Sequence, residues 1–302
     1  MSERGIRDKF HARLKRFYAP EFTDMIVLEI RTMKLHFHEF GQGEPLILLH
    51  GLLGSHHNWL PLAEKFSVHF RVFALDHRNH GASPHADEFD YDAMVADVVE
   101  FMRGQKILRA NFIGHSMGGK AAMRLAQLHP TAVQRLVVAD MSVHEYPARY
   151  AAMLDAMLAL DLTQFTQRND IDTALEPVVA SKTMRQFLLK NVGRAAAGNL
   201  FWKPNLAAIR KNYDRIRGAL PTAGQFDGST LFIRGAKSDY VRASDLDLIR
   251  ATFPRAELKT IEDAGHWVHS EAPTQFYELA WKFLRCINCV RSSASIASNI
   301  AA

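Results

Sequence analysis

The chain has 302 residues, of which 48% are hydrophobic and 23% are charged, a composition typical of folded globular proteins. Its net charge of +5 and pI of about 9.2 reflect basic residues concentrated in residues 4–16, without the interleaved aromatic side chains of a nucleic-acid-binding face. No window approaches the ~20 apolar residues of a membrane span, and the basic N-terminus lacks the apolar segment of a secretory signal. We therefore expect no nucleic-acid partner and no stable membrane insertion.

The two cysteines, Cys286 and Cys289, are too few for a disulfide framework. They form a C-x-x-C pair on the last predicted helix, whereas redox pairs of this spacing follow a strand, and a zinc site would need a second pair of ligands. We expect a cytoplasmic protein without a metal at these cysteines.

Short apolar runs alternate with helical ones along most of the chain. The predicted strands are Met25–Thr32, Met33–Phe40, Pro45–Leu49, Arg71–Leu75, Ala110–Ile113, Arg135–Ala139, Ser229–Ile233 and Glu257–Ile261. The predicted helices between them are Asn58–Phe66, Tyr91–Gly104, Lys120–Leu128, Ser244–Thr252 and Pro273–Cys286. Continuous apolar strands suit a sheet that is covered on both faces, so the pattern predicts an α/β fold with a mostly parallel, eight-stranded sheet.

The alternation is interrupted once, after the sixth predicted strand. Residues 142–222 show no strand pattern, and their helical runs are Ala148–Leu160, Ile171–Leu175, Thr183–Val192 and Leu206–Arg217. We interpret 142–222 as a helical cap inserted into a core formed by 25–141 and 223–288. Residues 1–24 are then a basic extension, and the Ser- and Ala-rich residues 289–302 are expected to be a disordered tail.

Residues 114–119, with the sequence GHSMGG, carry the strongest functional signal. They lie between a predicted strand and a predicted helix, the context of a nucleophile elbow. Glycines flank Ser116 because a Cβ at those positions would collide with the neighbouring strand or helix. The turn would expose the Ser116 hydroxyl at the end of the strand, as a catalytic nucleophile requires.

A serine hydroxyl needs a base that takes its proton, and an acid that orients the base. His266 follows a predicted strand and stands near the end of the chain, as the order serine, acid, histidine requires, and His269 is the alternative base. Asp140 and Asp239 both follow predicted strands, and the residues alone leave both open as the acid.

Acyl transfer also needs hydrogen-bond donors for the negative charge that develops on the substrate oxygen. The backbone N–H of Met117 directly follows the nucleophile and supplies one donor. The loop that begins at His50-Gly51 follows an early strand, and the backbone N–H of Leu52 is the second candidate.

Four motifs together resemble the α/β-hydrolase family. They are His50-Gly51, the run DHRNHGAS at 76–83, the GHSMGG elbow and Gly265-His266, and they follow one another in the order found in that family. The likeness extends from Met25 to Cys286, and it is greatest with small acyl-ester hydrolases such as the bacterial YbfF-type esterases and the mitochondrial ABHD11-like hydrolases. It implies the α/β-hydrolase fold, carboxylesterase or thioesterase activity on a small-molecule substrate, and neither a metal nor an organic cofactor.

The resemblance also bears on the acid. In many α/β-hydrolases it lies three residues after the glycine that follows the later strand, and here that position is Ser238. In YbfF-type enzymes the acid ends the strand after the nucleophile helix, which corresponds to Asp140. The resemblance therefore favours Asp140, with Asp239 as the alternative.

The sequence thus predicts a serine hydrolase of carboxylic esters or thioesters that acts through an acyl-enzyme on Ser116. We expect the substrate to lie against His50, Gly51 and His115. Two alternatives stay open: a carbon–carbon bond hydrolase or perhydrolase that uses the same triad, and a non-catalytic binding or receptor relative.

Overall fold

The computed structural model describes residues 33–285. Several expectations from the sequence lie outside that range: the basic extension 1–24, the strand over Met25–Thr32, the two cysteines and the tail 289–302. No helix within residues 33–285 is long and apolar enough to cross a membrane.

The described strands build one large sheet and one small hairpin. In chain order they are β1 (Phe37–Phe40), β2 (Glu44–Leu49), β3 (Phe70–Leu75), β4 (Ala110–His115), β5 (Val133–Ala139), β6 (Val192–Arg194), β7 (Leu200–Trp202), β8 (Thr230–Gly235) and β9 (Ala256–Ile261). The large sheet has the order β1-β3-β2-β4-β5-β8-β9, with β1 antiparallel to β3 and the other pairs parallel. This confirms the mostly parallel sheet, with seven described strands against the eight predicted.

Helices cover the sheet. They are α1 (Leu60–Phe66), α2 (Tyr91–Gly104), α3 (Met117–Leu128), α4 (Ala151–Ala159), α5 (Arg168–Leu175), α6 (Lys182–Leu189), α7 (Leu206–Lys211), α8 (Tyr213–Arg217), α9 (Leu246–Thr252), α10 (Val268–Glu271) and α11 (Pro273–Leu284). α2 begins where predicted because the side chain of Asp90 caps it, accepting the backbone N–H of Ala93 (2.9 Å). α11 packs beside α1, where the rings of Phe66 and Tyr277 are 4.8 Å apart.

The core consists of apolar strand residues that the helices bury. Ile47 and Leu48 of β2, and Val137 of β5, are completely inaccessible to solvent. Strands buried on both faces explain why their sequences are continuous apolar runs rather than alternating ones. This rigid sheet fixes the positions of the loops that leave its carboxyl edge.

The segment between β5 and β8 consists of helices α4–α8 and the antiparallel hairpin β6–β7. The expectation that residues 142–222 contain no strand is therefore wrong, and Val192 begins a strand rather than ending a helix. Each hairpin strand has three residues, too few for a period of two to be recognised. A Cβ on Gly193 would lie 2.5 Å from Cζ of Phe201, so this glycine makes room for the facing ring.

Candidate active site

Ser116 lies in a strained turn between β4 and α3. Its φ of +52° is in a region that few non-glycine residues adopt. A Cβ on Gly114 would lie 2.3 Å from the carbonyl oxygen of Gly118, and a Cβ on Gly118 would lie 2.4 Å from that of Leu49. Both glycines are therefore required for the close approach of strand and helix that holds this turn.

Ser116, His266 and Asp140 form a continuous hydrogen-bonded chain. The Ser116 hydroxyl donates to Nε2 of His266 (3.1 Å), and Nδ1 of His266 donates to Oδ2 of Asp140 (2.8 Å). The Asp140 carboxylate is fully buried, whereas the His266 side chain is 16% exposed and Ser116 is 8% exposed. A bond of Nδ1 to the carboxylate leaves Nε2 unprotonated and free to accept a proton from the serine.

The acid that reaches His266 is Asp140 and not Asp239. Asp140 also accepts the backbone N–H of Gly235 at Oδ1 (3.0 Å) and the hydroxyl of Ser238 at Oδ2. Ser238 occupies the position of the acid in many α/β-hydrolases, as the resemblance implies. Here it instead donates a hydrogen bond to Asp140, the acid at the end of β5. Asp239 has a 60% exposed side chain and pairs with both terminal nitrogens of Arg149 (2.6 Å each).

His269, the alternative base, is buried elsewhere. Its ring packs against Trp59, with centroids 4.4 Å apart, and against His115 at the same separation. Burial, reinforced by the nearby His266, lowers the pKa of His269 to about 3. The geometry brings His266, and not His269, to Ser116.

Tyr240 was not predicted as a site residue, yet its ring stacks on His266 with centroids 3.6 Å apart and an interplanar angle of 17°. The hydroxyls of Tyr240 and Tyr150 are hydrogen-bonded at 2.9 Å, which joins this stack to the segment between β5 and β8. The stacking restricts the tilt of the imidazole. No sequence signal marks the role, because Tyr240 is close to His266 only in the folded chain.

A small pocket opens at Ser116. Its free volume is about 40 Å³, and Leu52 and Met117 line it beside the serine. The backbone N–H groups expected to hold an oxyanion therefore belong to residues at this pocket. Five tyrosines form much of its remaining wall: Tyr91, Tyr146, Tyr150, Tyr213 and Tyr240.

The three residues expected to contact substrate do not line this pocket. His50 is buried: its Nδ1 donates to the carbonyl of Gly51 (2.8 Å), and its Nε2 accepts the backbone N–H of His77 (3.0 Å). His115 is buried too, and its Nε2 donates to the carbonyl of His266 (2.9 Å). A Cβ on Gly51 would lie 2.9 Å from Nδ1 of His115. These residues support the loops around Ser116, and their assignment to substrate binding stays a prediction.

Metal-ligating side chains also gather outside the triad. Among the residues that the structure describes, His36, His38 and His56 each offer one ligand atom, and these atoms lie within 4.8 Å of one another.

Comparison with known proteins places this geometry in a family. The family profile described as an alpha/beta hydrolase fold matches residues 44–273. The sn-1-specific diacylglycerol lipase ABHD11 of Danio rerio is 35% identical over 253 residues, 81% of this chain and 80% of the relative. Esterase YbfF of Escherichia coli is 34% identical over 232 residues, 76% of this chain and 88% of the relative.

Solved structures of hydrolases resemble this chain as well. A marine microorganism esterase has a TM-score of 0.81 and 38% identity, covering 83% of this chain and 99% of the other. A meta-cleavage product hydrolase of Pseudomonas fluorescens, at 19% identity and a TM-score of 0.63 over 83% of this chain and 93% of the other, shares the fold alone. The chain belongs to the α/β-hydrolase fold family and is a carboxylesterase-type hydrolase.

Proposed function

We propose that Ser116 is the nucleophile of a carboxylic ester or thioester hydrolase and forms an acyl-enzyme. The observation that carries the proposal is the hydrogen-bonded chain from the Ser116 hydroxyl through His266 to the buried Asp140. The positive φ of the serine adds support, because backbone strain of this kind clusters at active sites.

The reaction proceeds in two halves. Oγ of Ser116 attacks the acyl carbon while Nε2 of His266 takes the hydroxyl proton, and Asp140 stabilises the resulting imidazolium. His266 then gives that proton to the departing alcohol or thiol, which leaves an ester on Ser116. In the second half a water molecule loses a proton to His266 and attacks this ester. The acid leaves, and the proton returns to the serine oxygen.

The developing oxyanion is held by the backbone N–H groups of Leu52 and Met117. Met117 opens α3, so its N–H lies at the positive end of that helix. Removal of one donor of this kind from an enzyme costs about 10²–10³-fold in kcat.

The segment 142–222 acts as a cap over the site, because it contributes Tyr150, Tyr213 and Ile216 to the pocket wall. The free volume of about 40 Å³ is far below the ~300 Å³ of a pocket that encloses a larger ligand. The conformation described here therefore fits short acyl groups. Within residues 33–285 the core is formed by 33–141 and 223–285, on either side of the segment. The outer boundaries at residues 25 and 288 stay predictions from the sequence.

Replacement of Ser116 by alanine tests the proposal. We expect Ser116→Ala to lower the hydrolysis of p-nitrophenyl acetate and of an acetyl thioester by at least about 10⁴-fold, with unchanged thermal unfolding. Ser67→Ala, at a half-buried residue that follows α1 and bonds through its hydroxyl to the carbonyl of Glu64, is the control and should keep full activity. Substantial turnover by Ser116→Ala would show that another group attacks the substrate.

A further inference from the structure

A cluster of three histidines lies outside the triad and outside the residues that line the pocket at Ser116. His36 precedes β1, His38 lies within β1, and His56 follows the loop that leaves β2. The ring centroid of His36 lies 5.4 Å from that of His38 and 5.1 Å from that of His56. The rings of His38 and His56 are stacked at 4.3 Å.

One buried carboxylate orients two of these rings. Oδ1 of Asp76 accepts the backbone N–H of His56 (2.7 Å) and its Nδ1–H (2.9 Å). Oδ2 accepts Nδ1–H of His36 (3.1 Å) and the backbone N–H of Ala82 (2.9 Å). With both oxygens occupied by donors, Asp76 is a support for the rings rather than a ligand.

The same bonds determine which ring nitrogens are free. A histidine that donates through Nδ1 in its neutral form carries its lone pair on Nε2. Histidines that ligate metals almost always donate their other nitrogen to a carboxylate or carbonyl in this way. His36 and His56 therefore have the tautomer of carboxylate-supported metal ligands, with Nε2 available to an ion.

The exposed side chain of His38 supplies the third ligand and an entry path from solvent. Nitrogens bound to one tetrahedral zinc ion lie about 3.3 Å apart, given Zn–N bonds of about 2.0 Å. One ring nitrogen from each of the three histidines already lies within 4.8 Å of the other two. Coordination through Nε2 of His36 and His56 requires ring movement in addition, and the exposed side chain of His38 can rotate to meet them.

We propose that His36, His38 and His56 form a binding site for a zinc-class transition-metal ion, with Asp76 orienting two of the ligands. Imidazole nitrogens select Zn²⁺, Co²⁺, Ni²⁺ or Cu²⁺, whereas Mg²⁺ and Ca²⁺ require oxygen ligands. Water completes the coordination. The ion links β1 to the loop after β2, so binding stabilises the folded chain by mass action.

Zn²⁺ titration of the full chain, followed by calorimetry near neutral pH, tests the site. We expect one ion per chain and a rise in Tm upon addition of Zn²⁺. His38→Ala should weaken Zn²⁺ binding by about 10–100-fold or more, since loss of a supporting partner alone has that effect. His129→Ala, at an exposed histidine outside the cluster, is the matched control and should bind as the wild type does. Failure of the wild type to bind, or unchanged binding by His38→Ala, overturns the proposal.

The C-x-x-C pair is the competing ligand set. The double variant Cys286→Ser/Cys289→Ser should keep the Zn²⁺ affinity and stoichiometry of the wild type. If that variant loses Zn²⁺ while His38→Ala retains it, the ion belongs to the cysteines and the histidine site is refuted. Neither readout depends on ester hydrolysis, so the proposal stands or falls independently of the role of Ser116.

Discussion

At the scale of single residues, the Asp140 carboxylate is held by three donors. They are the backbone N–H of Gly235, the hydroxyl of Ser238 and Nδ1 of His266. A buried carboxylate with these partners has a fixed orientation, and it can hold the imidazole in one tautomer. Asp239 is next to Ser238 in sequence, yet its side chain points to solvent and to Arg149.

The two aspartates are therefore expected to respond differently to the same substitution. Asp140→Asn should lower kcat for p-nitrophenyl acetate by about 10⁴-fold, because an amide cannot hold His266 in the reactive tautomer. Asp239→Asn should stay within about threefold of the wild type, since an exposed ion pair contributes little. Steady-state kinetics on both variants is the measurement. A large loss in Asp239→Asn with a small one in Asp140→Asn would exchange their roles.

A residue of the candidate site could be predicted where its chemical type and its position in the chain both indicate the same role. Ser116 is marked by its flanking glycines, and His266 by its position after the last strand. Asp140 emerged only from a family resemblance, because two aspartates follow strands equally well. Ser238 and Tyr240 were out of reach: each acts through a partner that the fold alone brings near, such as the Asp140 carboxylate or the His266 ring.

Among the helices, the predicted boundaries are correct where a capping residue marks the end of an amphipathic run. They are wrong where a side-chain hydrogen bond interrupts the run. α2 occupies Tyr91–Gly104 as predicted, because Asp90 caps an amphipathic run. The run predicted as one helix, Leu206–Arg217, is two helices, since the Asn212 side chain bonds back to the carbonyl of Ala208 (2.9 Å) at the junction. A competing side-chain bond of this kind interrupts a helix without changing its hydrophobic period.

Lys120 connects α3 to the segment 142–222. Its buried ammonium group donates to the carbonyl of His144 (2.7 Å), near the start of that segment, and to the carbonyl of Gly218 near its end. One side chain of α3 is thus hydrogen-bonded to residues near both ends of this segment.

Loss of this attachment should destabilise the fold. In Lys120→Met the half-buried carbonyls of His144 and Gly218 lose their donor, at a cost of about 1–3 kcal/mol in the free energy of unfolding. Urea unfolding measures this loss. Lys211→Met, at an exposed lysine on α7, is the control and should change stability little. Equal stability of Lys120→Met and the wild type would mean that the attachment contributes nothing.

At the scale of the whole molecule, buried histidines link folding to pH. Burial lowers the pKa of five of them: His50, His77, His80, His115 and His269. The pKa falls to about 3 for His80 and for His269. The lowered pKa favours the neutral form in the folded chain, whereas in the unfolded chain these histidines take up protons as the pH falls below about 6.5. Stability is therefore complete above that pH and declines below it.

The free energy of unfolding should fall between neutral pH and about pH 5.5, by up to about 1.4 kcal/mol per pH unit for each histidine. Urea unfolding across this range measures the slope. His269→Phe should show a shallower decline, because it removes one such group from surroundings that include Trp59 and Phe276. A slope identical to that of the wild type would contradict the assignment of His269 as neutral in the fold.

Contacts between residues that are far apart in the sequence are the hardest to predict. Ser116 and His266 are 150 residues apart, yet the sequence predicts that they meet, because the order of the family motifs places the serine before the histidine at the same edge of the sheet. The histidine cluster involves His36 and His56, whose common partner Asp76 lies 20 to 40 residues away. No spacing motif connects these three positions, so only the folded chain brings them together.

Covalent labelling of Ser116 is the sharpest test of its assignment as the nucleophile. A fluorophosphonate probe reacts with a serine hydroxyl only when a base activates it. We expect one probe per wild-type chain, located by peptide mass spectrometry on Ser116, and no labelling of Ser116→Ala. Labelling of another residue, or none at all in a folded and stable wild-type chain, would contradict the account.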